Sequence, residues 1–251
     1  MIKLGMDNTK VLKTCMNAAA ALVEDAAFVV SPEGLKLRTM DSTHTVLIDL
    51  DLPACAFSCF EIEKPITIGV DMPEITKVIS RAKPNESLLI ELEEQTGRMV
   101  LSLSGPPQRR FNVPLIEVEI AACPEPKLAF SATAEVQAGI LQDGVKDAEL
   151  LSASAVKIEI AESGLQMYAD STSGSSELQL EATNEALANL KVTSPARAGF
   201  NPKRLGEILS ICSQKDTVGI SLGTNMPIQV DYAVGSGKLR FLLAPTVEEA
   251  D

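Results

Sequence analysis

Apolar residues recur along this chain with two distinct periods. Val11, Leu12, Cys15, Met16, Ala19, Leu22 and Val23 are spaced by three or four, which lays one apolar stripe along a helix and leaves Lys10, Lys13 and Asn17 on another face. A second helix is predicted from Pro73, because proline's fixed φ suits the first helical position and its missing N–H is not needed there. Ile75, Val78, Ile79 and Ala82 form its apolar stripe, and Glu74, Lys77 and Arg81 its polar one. A weaker pattern predicts a third helix over about 134–147. A fourth starts near Pro202, with Leu205, Ile208, Leu209 and Cys212 inward and Lys203 and Glu207 outward. Elsewhere the period is two. Ile48, Leu50 and Leu52 alternate with Leu47, Asp49 and Asp51, and Ile90 and Leu92 with Glu91 and Glu93. Such alternation marks antiparallel strands with one apolar and one acidic face. Strand runs are predicted over 26–31, 34–39, 44–52, 66–70, 87–94 and 97–104, with a similar set after the midpoint.

The pattern repeats. The segment Gly34-Leu35-Lys36-Leu37-Arg38-Thr39-Met40-Asp41-Ser42-Thr43 resembles Gly164-Leu165-Gln166-Met167-Tyr168-Ala169-Asp170-Ser171-Thr172 with one gap. Gly69-Val70-Asp71-Met72-Pro73 and Gly199-Phe200-Asn201-Pro202 each lie near the start of a helical pattern. Both glycine pairs are separated by 130 residues, and equal offsets at two separate places indicate a duplication. The expected class is α+β, with two tandem similar domains. Each half opens with a helix and packs two helices on one face of antiparallel β-sheets.

Composition narrows the picture. The 251 residues suffice for two domains, and 45% hydrophobic with 22% charged residues excludes a disordered or fibrous chain. The net charge of −12, shared evenly by the two halves, argues by itself against a nucleic-acid partner. Its layout says more. The acids fall largely on the sheet face turned from the helices, whereas Lys10, Lys13, Lys77, Arg81, Lys203 and Arg204 fall on polar helix faces. A solvated helix face and a basic surface both fit that stripe. Five scattered cysteines, with Cys55 and Cys59 lacking a second pair or a nearby histidine, do not make a zinc site; a reduced compartment with mostly buried thiols is expected. The single histidine, His44, excludes sites that need two. Without a spanning apolar run or a signal-peptide core, the protein is expected to be soluble and intracellular. No phosphate-binding glycine loop or nucleophile elbow occurs, and Gly235-Ser236-Gly237 reads as a hairpin turn.

Two motifs bring a family into view. Met40-Asp41-Ser42-Thr43-His44 follows a strand, and the chain closes with Leu239-Arg240-Phe241-Leu242-Leu243-Ala244-Pro245-Thr246-Val247-Glu248-Glu249. Together with Gly69-Val70-Asp71-Met72-Pro73-Glu74-Ile75 and Phe111-Asn112-Val113-Pro114-Leu115-Ile116, they resemble the proliferating cell nuclear antigen family of DNA sliding clamps, in its archaeal form. Thr43 stands where the family has serine.

The resemblance covers the whole chain and implies a ring of three subunits that encircles duplex DNA without reading its sequence. Helices line the hole, and the ring tethers replication and repair enzymes as a processivity factor. It implies domains over 1–114 and 131–251 with a connector over 115–130, no catalytic activity, no cofactor and no metal. Lys10, Lys13, Lys77, Arg81, Lys203 and Arg204 would face DNA. Partners such as DNA polymerase, the clamp loader, flap endonuclease and DNA ligase would bind through PIP-box peptides. Their pocket would comprise Met40, His44, Leu47, Pro227, Leu242, Leu243, Ala244 and Pro245. The small connector residues Ala121 and Cys123 would make that pocket shallower. Arg81, Lys83, Arg109 and Arg110 at one end of the subunit, against Asp143 and Asp147 at the other, would close the ring. The location would be cytoplasmic and nucleoid-associated in an archaeon, nuclear in a eukaryote. The alternatives are a heterotrimer subunit, a protein-only scaffold, and a small hydrolase using Ser42 and His44.

Overall fold

The computed structural model describes residues 2–83, 85–93, 97–118, 123 and 126–246. The chain folds as two compact units: Met1–His44, Ile48–Cys123 and Ala233–Leu239 form the first, and Thr45–Leu47, Pro124–Tyr232 and Arg240–Asp251 the second. The element order opens β1 (Ile2–Met6), α1 (Thr9–Ala20), β2 (Asp25–Ser31), β3 (Gly34–Met40), β4 (Val46–Pro53), β5 (Cys59–Glu61), β6 (Ile66–Asp71), α2 (Met72–Ser80), β7 (Leu88–Glu93), β8 (Arg98–Leu103) and β9 (Arg109–Pro114). It continues β10 (Ala132–Gln137), α3 (Ala138–Leu150), β11 (Val156–Ala161), β12 (Gly164–Ser171), β13 (Gly174–Glu181), β14 (Leu187–Val192), β15 (Ala196–Phe200), α4 (Pro202–Leu209), β16 (Thr217–Leu222), β17 (Ile228–Val234) and β18 (Gly237–Leu243).

In the first unit, one sheet runs β5-β1-β7-β8-β9, and β3, β2 and β6 lie in order at the end of another. Leu12 and Met16 of α1 and Ile75 and Ile79 of α2 face Leu4, Phe28, Ile68, Ile90 and Met99 of the strands around an apolar cavity of about 40 Å³. In the second unit, β13-β12-β11-β15 form one sheet and β14-β10-β16-β17 a run of another. Here Leu141 and Val145 of α3 and Leu205 and Leu209 of α4 are buried, as are Ile158, Met167, Phe200 and Ile220 of the strands. Among the described residues, α1, α2 and α4 bury most of the stripes that their spacing predicts, with Val11 and Val78 half-buried.

Two expectations are corrected. Each unit opens with a strand, not a helix: β1 pairs with β5 and β7, and β10 with β14 and β16. Residues 134–137, expected as helix, belong to β10, where alternate burial matches the two-residue period of a ladder. The helix begins only at Ala138 and runs on to Leu150. The strands β1, β5 and β9 are additional to the predicted runs.

The duplication is physical as well as textual. Gly34 and Gly164 open the second strands of matching hairpins with φ of +147° and +138°. A Cβ at Gly34 would lie 2.1 Å from the Leu52 carbonyl oxygen, and one at Gly164 2.0 Å from that of Leu180. Asp71 and Asn201, again 130 apart, cap α2 and α4 by accepting from the N–H of Glu74 (2.8 Å) and Arg204 (3.1 Å). Ile116 N–H donates to Gly69 O at 3.0 Å, as Thr246 N–H does to Gly199 O at 2.8 Å.

Gly34→Ala and Gly164→Ala should therefore each lower stability by about 2–4 kcal/mol, because a backbone oxygen cannot move out of the way and the φ is strained for any side chain. Urea midpoints check this. A change within about 0.5 kcal/mol at either site would contradict the shared constraint.

Candidate nucleic-acid and partner interfaces

The basic residues expected to face DNA divide into three groups. Lys10, Arg81 and Lys203 are exposed. Lys77 is exposed but bonded to Glu74 at 2.6 Å, which raises its pKa, and half-buried Arg204 bonds Glu207 at 3.0 Å. Lys13 has a different task. Its ammonium donates to Ser80 O at 3.2 Å, the last carbonyl of α2 and without an intrahelical partner, and to Ala82 O just beyond the helix. Gln142 does the same in the second unit, donating to Leu209 O and Cys212 O at 2.9 Å each. In both units, then, a side chain of the first helix holds the end of the second.

The acids expected on the outer strand faces are partly matched by cross-strand bases. Arg38 pairs Asp49 at 2.7 Å, Lys36 pairs Asp51 at 3.4 Å and Lys3 pairs Glu91 at 3.7 Å. Burial pushes the Cys15 and Cys212 thiols up to about 12, so both act as apolar filling.

Sheet edges form the next feature. An edge strand exposes a row of backbone donors and acceptors, and proteins usually blunt it. β5 has only three residues. β14 carries a register shift, with Asn189 at φ +49°. β6 receives Ile116 at Gly69, and β15 receives both Thr246 at Gly199 and Asn225 at Arg197 (2.9 Å). β9 and β13 end their sheets with six and eight residues in unbroken register.

The surroundings of these two edges differ in charge. Near β9 lie Arg109, exposed Arg110, and the Arg81–Lys83 turn, which Arg109 reaches by donating to Arg81 O at 3.1 Å. Glu86, 7% exposed, anchors this corner: it accepts from Lys83 N–H at 2.8 Å and pairs with the Arg109 guanidinium. β13 carries exposed Glu177 and Glu181 and starts at Gly174, where a side chain would touch Leu151 at the end of α3. Next to it, Leu150 is 83% exposed, the most exposed large apolar residue among those described. Asp143 and Asp147 lie on the same helix, and Asp143 is paired with Lys146 at 3.2 Å.

The residues expected to hold partner peptides differ in burial. In the first unit, Met40 is half-buried at the end of β3. Exposed His44 adopts φ +54° and donates its N–H to Asp41 O at 2.9 Å. Buried Asp41 also accepts from the Thr43 hydroxyl, so Asp-Ser-Thr-His forms a closed turn. In the second unit, Leu47, Leu242 and Leu243 are 6%, 8% and 1% exposed, whereas Pro227, Ala244 and Pro245 are half-buried. Ala244 N–H donates to Thr45 O at 2.8 Å, tying the C-terminal motif to the start of β4. Half-buried Cys123 has its thiol pushed up by burial. Ala121 and Val247–Asp251 lie outside the described residues.

Residues 1–122 match the family model of the proliferating cell nuclear antigen N-terminal domain, and residues 125–247 that of its C-terminal domain. The chain belongs to the proliferating cell nuclear antigen family. It is 34% identical over 244 residues to a DNA polymerase sliding clamp of Thermococcus gammatolerans, covering 97% of each chain, and equally so to one of Pyrococcus furiosus. A Thermofilum pendens DNA polymerase sliding clamp is 32% identical over 250 residues, covering 99% of this chain and 100% of that one. The fold matches a crystal structure of PCNA from Thermococcus kodakaraensis with TM-score 0.94 at 24% identity, over 98% of this chain and 100% of that one. It also matches A. fulgidus PCNA bound to the C-terminal region of FEN-1, with TM-score 0.88 at 24% identity and full coverage of both.

Within this PCNA-family fold, sequence reasoning missed Glu86, Gln142 and Leu150. Gln142 is recognisable only through Leu209 and Cys212, far along the chain, and Glu86 through Arg109, 23 residues on, together with the nearby Lys83 N–H. Leu150 carried a local signal, an apolar residue off the stripe of Leu141, Val145 and Ala148. Among the described residues, no helix is long and apolar enough to cross a membrane, and no three metal-ligating side chains gather.

The Glu86 corner gives a pH test. Its carboxyl is held below the ordinary value of 4.5, first by the Lys83 N–H and then by Arg109. A depressed folded value means that the stabilisation is full above 4.5 and is lost as the pH falls through the lowered value. Glu86→Gln should be less stable than the parent at neutral pH, with the gap narrowing below pH 4.5. Urea midpoints at both pH values decide it, and a gap independent of pH would remove Glu86 ionisation from the account.

Proposed function

We propose that this chain is a DNA sliding clamp, a non-catalytic ring of three copies that encircles duplex DNA and tethers replication and repair enzymes. The observation that carries this reading is the match along 97% of the chain to DNA polymerase sliding clamps. The physical features support it. Four helices bury their apolar stripes and leave exposed lysine and arginine on a protein of net charge −12. Contacts from such residues to phosphate carry no sequence information, which suits a protein that must slide.

The clamp domains are 1–114 and 131–251, and the connector is 115–130. The connector's first residues are bonded to the first unit: Leu115 N–H donates to Gly97 O at 2.9 Å and Ile116 N–H to Gly69 O at 3.0 Å. Ring closure pairs β9 of one copy with β13 of the next, a head-to-tail contact of unlike edges that closes after three steps. Phe111 and Leu178, both half-buried, and exposed Leu150 supply apolar contact. The expected ion pairs add less, since Arg109 and Asp143 already have partners within the chain. Both edges belong to one chain, which favours a homotrimer over a subunit of a mixed ring.

The partners are polymerase, clamp loader, flap endonuclease and ligase through PIP-box peptides, and the residues that take these peptides are Met40 and His44 in the first unit and Leu47, Pro227, Leu242, Leu243, Ala244 and Pro245 in the second. The FEN-1 segment bound to A. fulgidus PCNA supports this class of partner.

The test is topological. Protein loaded on a nicked circle should stay through gel filtration and be lost within minutes once a restriction enzyme makes the circle linear. Equal retention on both forms would mean that affinity, not encirclement, holds the protein.

A further inference from the structure

The two helix layers can be compared position by position, because their buried stripes are in register. Leu12, Met16 and Ala19 of α1 match Leu141, Val145 and Ala148 of α3 at an offset of 129; Ile75 and Ile79 of α2 match Leu205 and Leu209 of α4 at 130. The outward positions then differ in charge. Lys10 corresponds to Gly139, and Lys13 to Gln142, its counterpart in holding the second helix. Exposed Asp143, Asp147 and Glu149 correspond to Thr14, Ala18 and Ala20, of which Ala18 is buried, and exposed Lys146 corresponds to Asn17. On the second helices the same i,i+3 ion pair occurs with reversed signs: Glu74–Lys77 in α2, Arg204–Glu207 in α4. Beyond it, exposed Arg81 corresponds to Ile211. α1 therefore carries no acidic side chain and α2 one, whereas α3 and α4 carry Asp143, Asp147, Glu149 and Glu207 against Lys146, Lys203 and Arg204.

We propose that the helices of the first unit alone hold the DNA phosphates, through Lys10, Lys77 and Arg81 with Lys13 adding its charge, and that α3 and α4 contribute no net attraction. This rests on the clamp reading. Asp143, Asp147 and Glu149 lie within about 9 Å along α3, inside the Debye length of about 10 Å at 0.1 M salt, so Lys146 cannot dominate there. The charged side chains of α1 itself are Lys10 and Lys13.

The experiment uses the full-length protein and a short fluorescent duplex of arbitrary sequence, with binding followed by anisotropy from low to moderate salt. Lys10→Ala/Lys77→Ala/Arg81→Ala, which spares the helix-holding Lys13, should weaken binding at least tenfold at low salt. It should also reduce the slope of log affinity against log salt by about 2–3, at about 0.9 for each phosphate that is no longer neutralised. Lys146→Ala/Lys203→Ala/Arg204→Ala should stay within twofold of the parent. Asp143→Asn/Asp147→Asn should tighten binding, because it removes repulsion. Equal losses in the two triple variants, a larger loss in the second, or no salt-dependent binding by the parent would overturn the assignment. Retention on circles separates this from the clamp reading. If the parent is retained on circles while both triple variants bind alike, only the charge assignment fails. If the parent is not retained, the clamp reading fails whatever the salt slopes.

Discussion

A β-sheet has to end, and the way each sheet of this protein ends governs the rest of its behaviour. Backbone N–H and C=O groups at an edge attract any other strand. Among the described residues, four of the six sheet ends are shortened, bulged or covered: β5 by its length, β14 by its register shift, β6 by Ile116, and β15 by Thr246 and Asn225. The covering contacts at Gly69 and Gly199 are the same contact made twice, once by the segment that leaves the first domain and once by the segment that ends the second. What remains is one edge in each unit, β9 beside arginines and β13 beside acids and an exposed leucine. In the proposed ring these two unlike edges join copies of the chain.

The helices depend on the same frame but carry a different task. Their apolar stripes are fixed by the sheets, and each helix pair is fixed internally by Lys13 or Gln142 at the carbonyl end of its second helix. With packing settled on one side, the outward side could vary. It varied in charge: a position occupied by Lys77 in one unit holds Glu207 in the other. Fold and charge are thus separable here, and the duplicated fold does not enforce a duplicated surface.

Much of this was legible in the sequence. Periods of 3.6 and 2 located the helices and, in the first half, β2, β3, β4, β6, β7 and β8, because burial on one side leaves a mark at every turn or every second residue. Gly34 and Gly164 announced the duplication, since no other residue tolerates a carbonyl oxygen about 2 Å from where its Cβ would lie. The start of α3 was misjudged because Ala132–Gln137 is short and rich in alanine, which suits a helix as well as a central strand, and only pairing with β14 and β16 decides. The role of Lys13 was not legible at all. A lysine on a polar stripe reads as a surface charge, and the carbonyls that it holds are 67 and 69 residues away. The residues expected to close the ring also have partners within the chain: Glu86, 23 residues away, takes Arg109, and Lys146, one helical turn away, takes Asp143.

The central claim is that two unlike edges on one chain close a ring of three. Its most direct test is the molar mass in solution by light scattering at low micromolar concentration, in low salt and in about 1 M salt, where the Debye length is about 3 Å. Backbone pairing and apolar contact predict three times the 26.7 kDa chain mass under both conditions. The mass of a single chain, or of an open-ended series of assemblies, would contradict the account.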